Sequence, residues 1–247
     1  MYTHEFDLIE ISAIKRSGHH AMMGWIVKNL YGLQPEFGWK LEFVANSGLW
    51  IWNDVTDYEE HGNELFFNRL DKTLKVLMVN YEDVNPNYSF FHSSSIYHGP
   101  RYFEKYENIS IKNSKRFYLI RNFYDCLSSR RKQTIDNIHP IDYKKNYVDI
   151  WKRQAKAVLE NPKNSLRFED LVLDLPVCEE FLFNHFGISQ KFRIDEVKGR
   201  NSSFGDDKNY MNRLDQSSLE EDLIEIIKND NELHYLIGKL GYKFKAI

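Results

Sequence analysis

Cysteine is scarce in this chain: Cys126 and Cys178 are the only two. They lie far apart in sequence, which excludes a disulfide framework and leaves no metal-ligand spacing of the CxxC kind. A reducing compartment is the simple expectation, with no bound metal. A run of about 18 apolar residues is also missing, so no membrane-spanning helix is expected. The first ten residues carry His4, Glu5, Asp7 and Glu10 where a secretory leader needs a basic start and an apolar stretch, so no leader is expected either. An excess of basic charge is absent too: the formal net charge is -3, which removes the general electrostatic case for a nucleic-acid partner. Any anion-binding site has to be local. Repeats, linkers and low-complexity tracts are not found.

What is present is an ordinary globular balance, 42% hydrophobic and 28% charged residues in 247, which suits one core and one domain over residues 1–247. Phe6 to Ile14 reads as a strand, and after a turn Met22, Met23, Ile26, Val27 and Leu30 mark one face of a helix. Leu74–Val79 and Phe117–Ile120 are short apolar runs suited to strands buried on both faces of a parallel sheet. Helical spacing returns at Tyr147, Ile150, Trp151, Ala155, Val158 and Leu159. Asn164–Phe168 offers another strand, and Phe181, Leu182 and His185 sit on a helix closed by Gly187. Gly199–Asn212 reads as a polar loop, and Leu219, Leu223, Ile226 and Ile227 as a last amphipathic helix. Strands alternating with helices predict a three-layer α/β/α domain around a central parallel sheet.

Chemistry concentrates where strands run into basic loops. Lys15-Arg16-Ser17-Gly18-His19-His20 joins the first strand to the first helix, the place where phosphate sits on exposed helix amides in such sheets. Gly18 allows close backbone approach, Ser17 donates a hydrogen bond, and Arg16 grips oxygens in a bidentate way. His19 and His20 add donors when protonated. The kinase pattern G-x-x-x-x-G-K-[ST] is absent, because the basic residues precede the glycine. A second basic strand end is Arg121-Asn122-Phe123-Tyr124-Asp125, with Ser129 eight positions after the arginine.

These segments resemble the sulfotransferases that use 3′-phosphoadenosine 5′-phosphosulfate (PAPS). Their phosphosulfate loop carries Arg-Ser-Gly in many carbohydrate-modifying members, matched by Arg16-Ser17-Gly18. Their 3′-phosphate motif, Arg-Asn-Pro-x-Asp with a later serine, is matched by Arg121, Asn122, Asp125 and Ser129, with Phe123 in place of the proline. Arg200-Asn201-Ser202-Ser203-Phe204-Gly205-Asp206-Asp207-Lys208-Asn209 is similar to the family's C-terminal Arg-Lys-Gly-x-x-Gly-Asp-Trp-Lys-Asn, departing at Asn201, Ser202 and Asp207. Phe168-Glu169-Asp170-Leu171 is similar to its Tyr-Glu-Asp-Leu stretch, taken as structural. The resemblance implies a P-loop NTPase-like sulfotransferase fold. It implies that Arg16, Ser17, Gly18, His19 and His20 hold the 5′-phosphosulfate, and that Arg121, Ser129 and Arg200 hold the 3′-phosphate.

Transfer of a sulfuryl group also needs positive charge on the developing anion and a base for the acceptor proton. Arg16 is the candidate for the first task. Glu82, just after the strand ending at Val79, is the candidate base, with His92 and His98 as alternatives. The acceptor is a hydroxyl or amine of a saccharide, lipid or small molecule; aromatic residues between Tyr81 and Phe103 suit pocket walls or, more simply, the core. A cytoplasmic enzyme is expected. Two rivals stay open: a P-loop-type nucleotide kinase and a non-catalytic module that binds a nucleotide or glycan. Oligomeric state is not legible.

Overall fold

A computed structural model describes residues 4–14, 17–33, 35, 41–44, 48–55, 74–83, 85–86, 109–134, 143–173, 176–194 and 221–243. The strands are β1 (His4–Ala13), β2 (Leu41–Val44), β3 (Leu49–Val55), β4 (Val76–Glu82), β5 (Ile109–Ile120) and β6 (Ser165–Arg167). The helices are α1 (His19–Tyr31), α2 (Phe123–Thr134), α3 (Tyr143–Glu160), α4 (Phe168–Leu173), α5 (Pro176–Phe186), α6 (Glu221–Asn229) and α7 (Asn231–Lys239).

The six strands form one sheet in the order β2-β3-β4-β1-β5-β6. All neighbours run parallel except the β2–β3 pair, which is antiparallel and closes one edge. Alternation along β1 splits the core into two layers. Ile9, Ile11 and Ala13 face α1, α4 and α5, packing on Trp25, Ile26, Phe168 and Phe181. On the other face Ile14, Tyr118 and Ile120 pack on α2, α3, α6 and α7 through Phe123, Trp151, Ile227 and Leu236. The three-layer α/β/α architecture with a parallel centre expected from the sequence is the one observed.

Polar side chains inside this core are matched to their layer. Glu10, fully buried in the central strand, accepts a 2.7 Å hydrogen bond from Tyr81 Oη and lies 3.9 Å from Arg116 Nη1. The Arg116 guanidinium is in turn held over the Tyr81 and Tyr118 rings. Gln154 of α3 donates to the carbonyls of Ser12 and Leu119 and accepts from Ser12 Oγ, pinning α3 across β1 and β5. On the opposite face, Asn29 Nδ2 donates to Phe192 O while its Oδ1 accepts from the Lys191 and Phe192 amides, which fixes α1.

Several boundaries differ from the sequence expectation. β4 runs on through Glu82, because Asn80 and Glu82 face α1 while Tyr81 finds Glu10 on the other side. β5 starts at Ile109 instead of Phe117; its first half pairs with β1 but exposes Lys112, Asn113, Ser114 and Lys115, so it shows no apolar pattern. The last helix is two helices: Asp230 interrupts them, and its carboxylate caps α7 by accepting from Leu233 N. The expected strand ending at Phe168 ends at Arg167, and Phe168 opens α4. The polar loop Gly199–Asn212 lies outside the described residues.

Candidate functional site

Chain order and strand order reverse around β1: the chain moves from β1 to the β2–β3–β4 side, then crosses to β5 and β6. In open α/β sheets ligands bind beyond the carboxyl ends of the strands at such a switch. Ser17 and Gly18 follow β1, Glu82 ends β4, Arg121 follows β5 and Phe168 follows β6, so parallel pairing brings all of them to the same end of the sheet.

Gly18 is the N-cap of α1 in a left-handed conformation, φ 93°, and no side chain caps the helix. An α-helix leaves its first amides without intrahelical partners and carries partial positive charge there. Ser17, whose amide donates to Ile14 O at 3.0 Å, is fully buried, and its Oγ has no hydrogen-bond partner. A hydroxyl left so is costly, about 1–3 kcal/mol, and it stands immediately before an uncapped helix start. An anion there would satisfy both.

A glycine at position 18 has a second reason beyond the close anion approach expected from sequence. A Cβ built on it would stand 2.2 Å from Phe168 Cδ2 and 2.3 Å from Cε2. The Arg121 guanidinium lies over the same ring, 4.8 Å from its centroid. Phe168 therefore ties the loop after β1 to the loop after β5, and Arg121 is buried beside it. Sequence reasoning took this stretch as structural; the signal available was an aromatic residue directly after a short strand.

Arg121 is held from behind as well, its carbonyl accepting from Trp151 Nε1 at 3.0 Å. Phe123, which stands where the resembling family has proline, packs its ring on Tyr124, Tyr147 and Trp151. The start of α2 is unlike that of α1. Asn122 Oδ1 accepts from Tyr124 N at 3.0 Å, and Glu169 Oε1 accepts from Asn122 N at 2.9 Å. Burial pushes the Glu169 carboxyl above the ordinary glutamate value, against the opposing pull of those hydrogen bonds and of Arg121. Ser129 lies half-buried further along α2.

Glu82 and His19 meet. The carboxylate at the end of β4 is paired in register with Ala13, and its Oε1 lies 3.0 Å from His19 Nε2, both side chains being buried. The His20 ring is 4.2 Å from that of His19. Two positions along β4 on the same face, Asn80 is fully buried with neither amide atom hydrogen-bonded. Of the other residues singled out from the sequence, Arg16, His92, His98 and Arg200 lie outside the described residues. Among the described residues no group of three or more His, Cys, Asp or Glu is placed to hold a metal ion, and no helix is long and apolar enough to cross a membrane.

No protein-family model matches the chain, and no curated protein matches it. Among solved structures it is similar to the sulfotransferase domain from the Synechococcus PCC 7002 olefin synthase, at 12% identity over 99% of this chain and 98% of that one, with a TM-score of 0.42. A likeness that slight carries no argument about function, which rests on the site itself.

Proposed function

We propose that this chain is a sulfotransferase that moves a sulfuryl group from PAPS to a hydroxyl or amine acceptor. The observation that carries the reading is the uncapped start of α1 beside the orphaned Ser17 hydroxyl, joined through Phe168 to the buried Arg121. That pairing supplies two anion-binding elements at one end of the sheet, which suits a nucleotide bearing phosphate at two places. Ser17, Gly18, His19 and His20, with Arg16 before them, would hold the 5′-phosphosulfate; Arg121 and Ser129, with Arg200, would hold the 3′-phosphate.

When bound, the nucleotide supplies an activated sulfuryl group: the acceptor oxygen or nitrogen bonds to sulfur, and the bond from sulfur to the 5′-phosphate oxygen breaks with its electron pair leaving on that oxygen. The chain's own part is to orient and to take the acceptor proton. Glu82 would accept that proton, with His19 Nε2 3.0 Å from its Oε1 to orient the carboxylate. Burial of both side chains keeps water away from the pair, which strengthens their mutual interaction.

Calorimetry without magnesium tests the reading. Wild type is expected to bind 3′-phosphoadenosine 5′-phosphate well ahead of adenosine 5′-phosphate or ATP, and Arg121→Ala to lose that preference. Equal affinity for ligands with and without the 3′-phosphate would sink the proposal, and magnesium-dependent ATP turnover would favour a kinase.

A further inference from the structure

The loop that carries Arg121 is buttressed from the far end of the chain. After α7 the backbone turns at Gly241, and the Tyr242 amide donates to Ile237 O at 3.0 Å. Tyr242 Oη then donates to Glu169 Oε2 at 2.7 Å, while Glu169 Oε1 accepts from Asn122 N. Arg167, beside the Tyr242 ring, donates to Leu240 O at 3.1 Å and locks the same turn onto the end of β6. A three-member relay thus runs from Tyr242 through Glu169 to the residue that follows Arg121.

This relay has a consequence for recognition. Each oxygen of Glu169 is committed to a partner within the fold, and the Asn122 and Tyr124 amides at the start of α2 are committed too. Those amides are not on offer to an anion, in contrast to the uncapped start of α1. With those two amides taken, the Arg121 side chain is the foremost group left to hold an anion at this end of the site, so binding depends on how accurately the Arg121 backbone is placed. Three bonded contacts fix that placement: Trp151 to the Arg121 carbonyl, Glu169 to the Asn122 amide, and Tyr242 to Glu169. Phe168, adjacent to Glu169 in sequence, sets the guanidinium itself.

We infer that Glu169 and Tyr242 are positioning residues for Arg121, and that they set the selectivity of the site for a ligand bearing a second phosphate. The inference rests on the function proposed above. Tyr242→Phe removes one oxygen and keeps the ring. Isothermal calorimetry would compare 3′-phosphoadenosine 5′-phosphate with adenosine 5′-phosphate in wild type and variant. Affinity for the bisphosphate should fall by about 3- to 10-fold, the range of one lost hydrogen bond, while affinity for the monophosphate stays within error. Glu169→Ala, which removes both bonds, should cost more, and Glu169→Gln should restore most of the loss because its amide oxygen can still accept from Asn122 N.

A purely structural role would lower the melting temperature or the binding-competent fraction and weaken both ligands alike. An unchanged ratio of the two affinities in Tyr242→Phe and in Glu169→Ala therefore overturns the inference. Absence of any 3′-phosphate preference in wild type strikes at the functional reading instead, so the two failures are distinct.

Discussion

Replacing Gly18 by alanine probes both the α1 loop and its contact with Phe168. At φ 93° an L residue pays the left-handed penalty of about 1–2 kcal/mol. The new methyl would also stand 2.2 Å from a ring carbon, well inside the roughly 3.5–4.0 Å at which carbon atoms rest. The Phe168 ring is buried and has Arg121 over its face, so it has little room to retreat, and overpacking of this kind costs about 1–3 kcal/mol. The two penalties together come to about 2–5 kcal/mol, or roughly 4–20 °C in melting temperature for a chain of this size. Urea unfolding of Gly18→Ala, Phe168→Ala and the double variant separates the contributions. Phe168→Ala alone should cost about 3–5 kcal/mol. In the double variant the clash is gone and Gly18→Ala adds only its backbone penalty to the loss of Phe168, so the total should fall short of the sum of the single variants by about 1–3 kcal/mol. Strict additivity would refute the contact between the two loops.

Three other outcomes follow from the same geometry. Glu82→Gln should lower turnover by about 10²–10⁴-fold and leave bisphosphate affinity nearly unchanged; undiminished turnover with an identified acceptor would remove Glu82 from the role of base. Asn80→Leu takes two unpartnered polar atoms out of a buried position, so its urea midpoint should rise; a marked fall would mean that the amide is engaged in the folded protein. Glu169 gives a pH dependence with a definite sign. Burial raises its folded-state pKa above the ordinary 4.5, so the folded chain holds a proton that the unfolded chain has released, and stability falls as pH climbs from about 4.5 through the raised value. Urea midpoints across that range should flatten in Glu169→Gln, and an equal slope in both proteins would assign the effect elsewhere.

The sheet's centre was legible because buried parallel strands are apolar throughout, as in Leu77–Val79 and Phe117–Ile120. The outer half of β5 was not, since its exposed side chains are polar and only its pairing with β1 makes it a strand. The β2–β3 edge was missed although it has a local signal: Asn46-Ser47-Gly48 are turn residues between two apolar runs, and Leu49, Ile51 and Trp52 are buried; what no local pattern shows is that this hairpin joins β4. At the site, Ser17, Gly18 and Arg121 could be singled out because basic or glycine-bearing loops after strands have a physical purpose. The pairing of His19 with Glu82 could not, since it depends on Ala13 and Glu82 sharing a register across β1 and β4. Nor could the tie between Gly18 and Phe168, residues separated by most of the chain.

The carboxyl group buried at Glu10 protects that alignment. A slip of β1 by one residue would turn every side chain to the opposite layer, carrying Glu10 away from Tyr81 and Arg116 into the apolar contacts around α1. Leaving a carboxylate there without its partners costs about 3–5 kcal/mol, a large share of the roughly 5–15 kcal/mol by which a domain is stable at all. A misaligned sheet is thereby penalised as soon as α1 packs on it. The same slip would move Ala13 off Glu82 and take the carboxylate out of reach of His19. A single acidic residue in mid-strand, remote from every loop of the site, thus acts as a proofreading device for where the reacting groups end up.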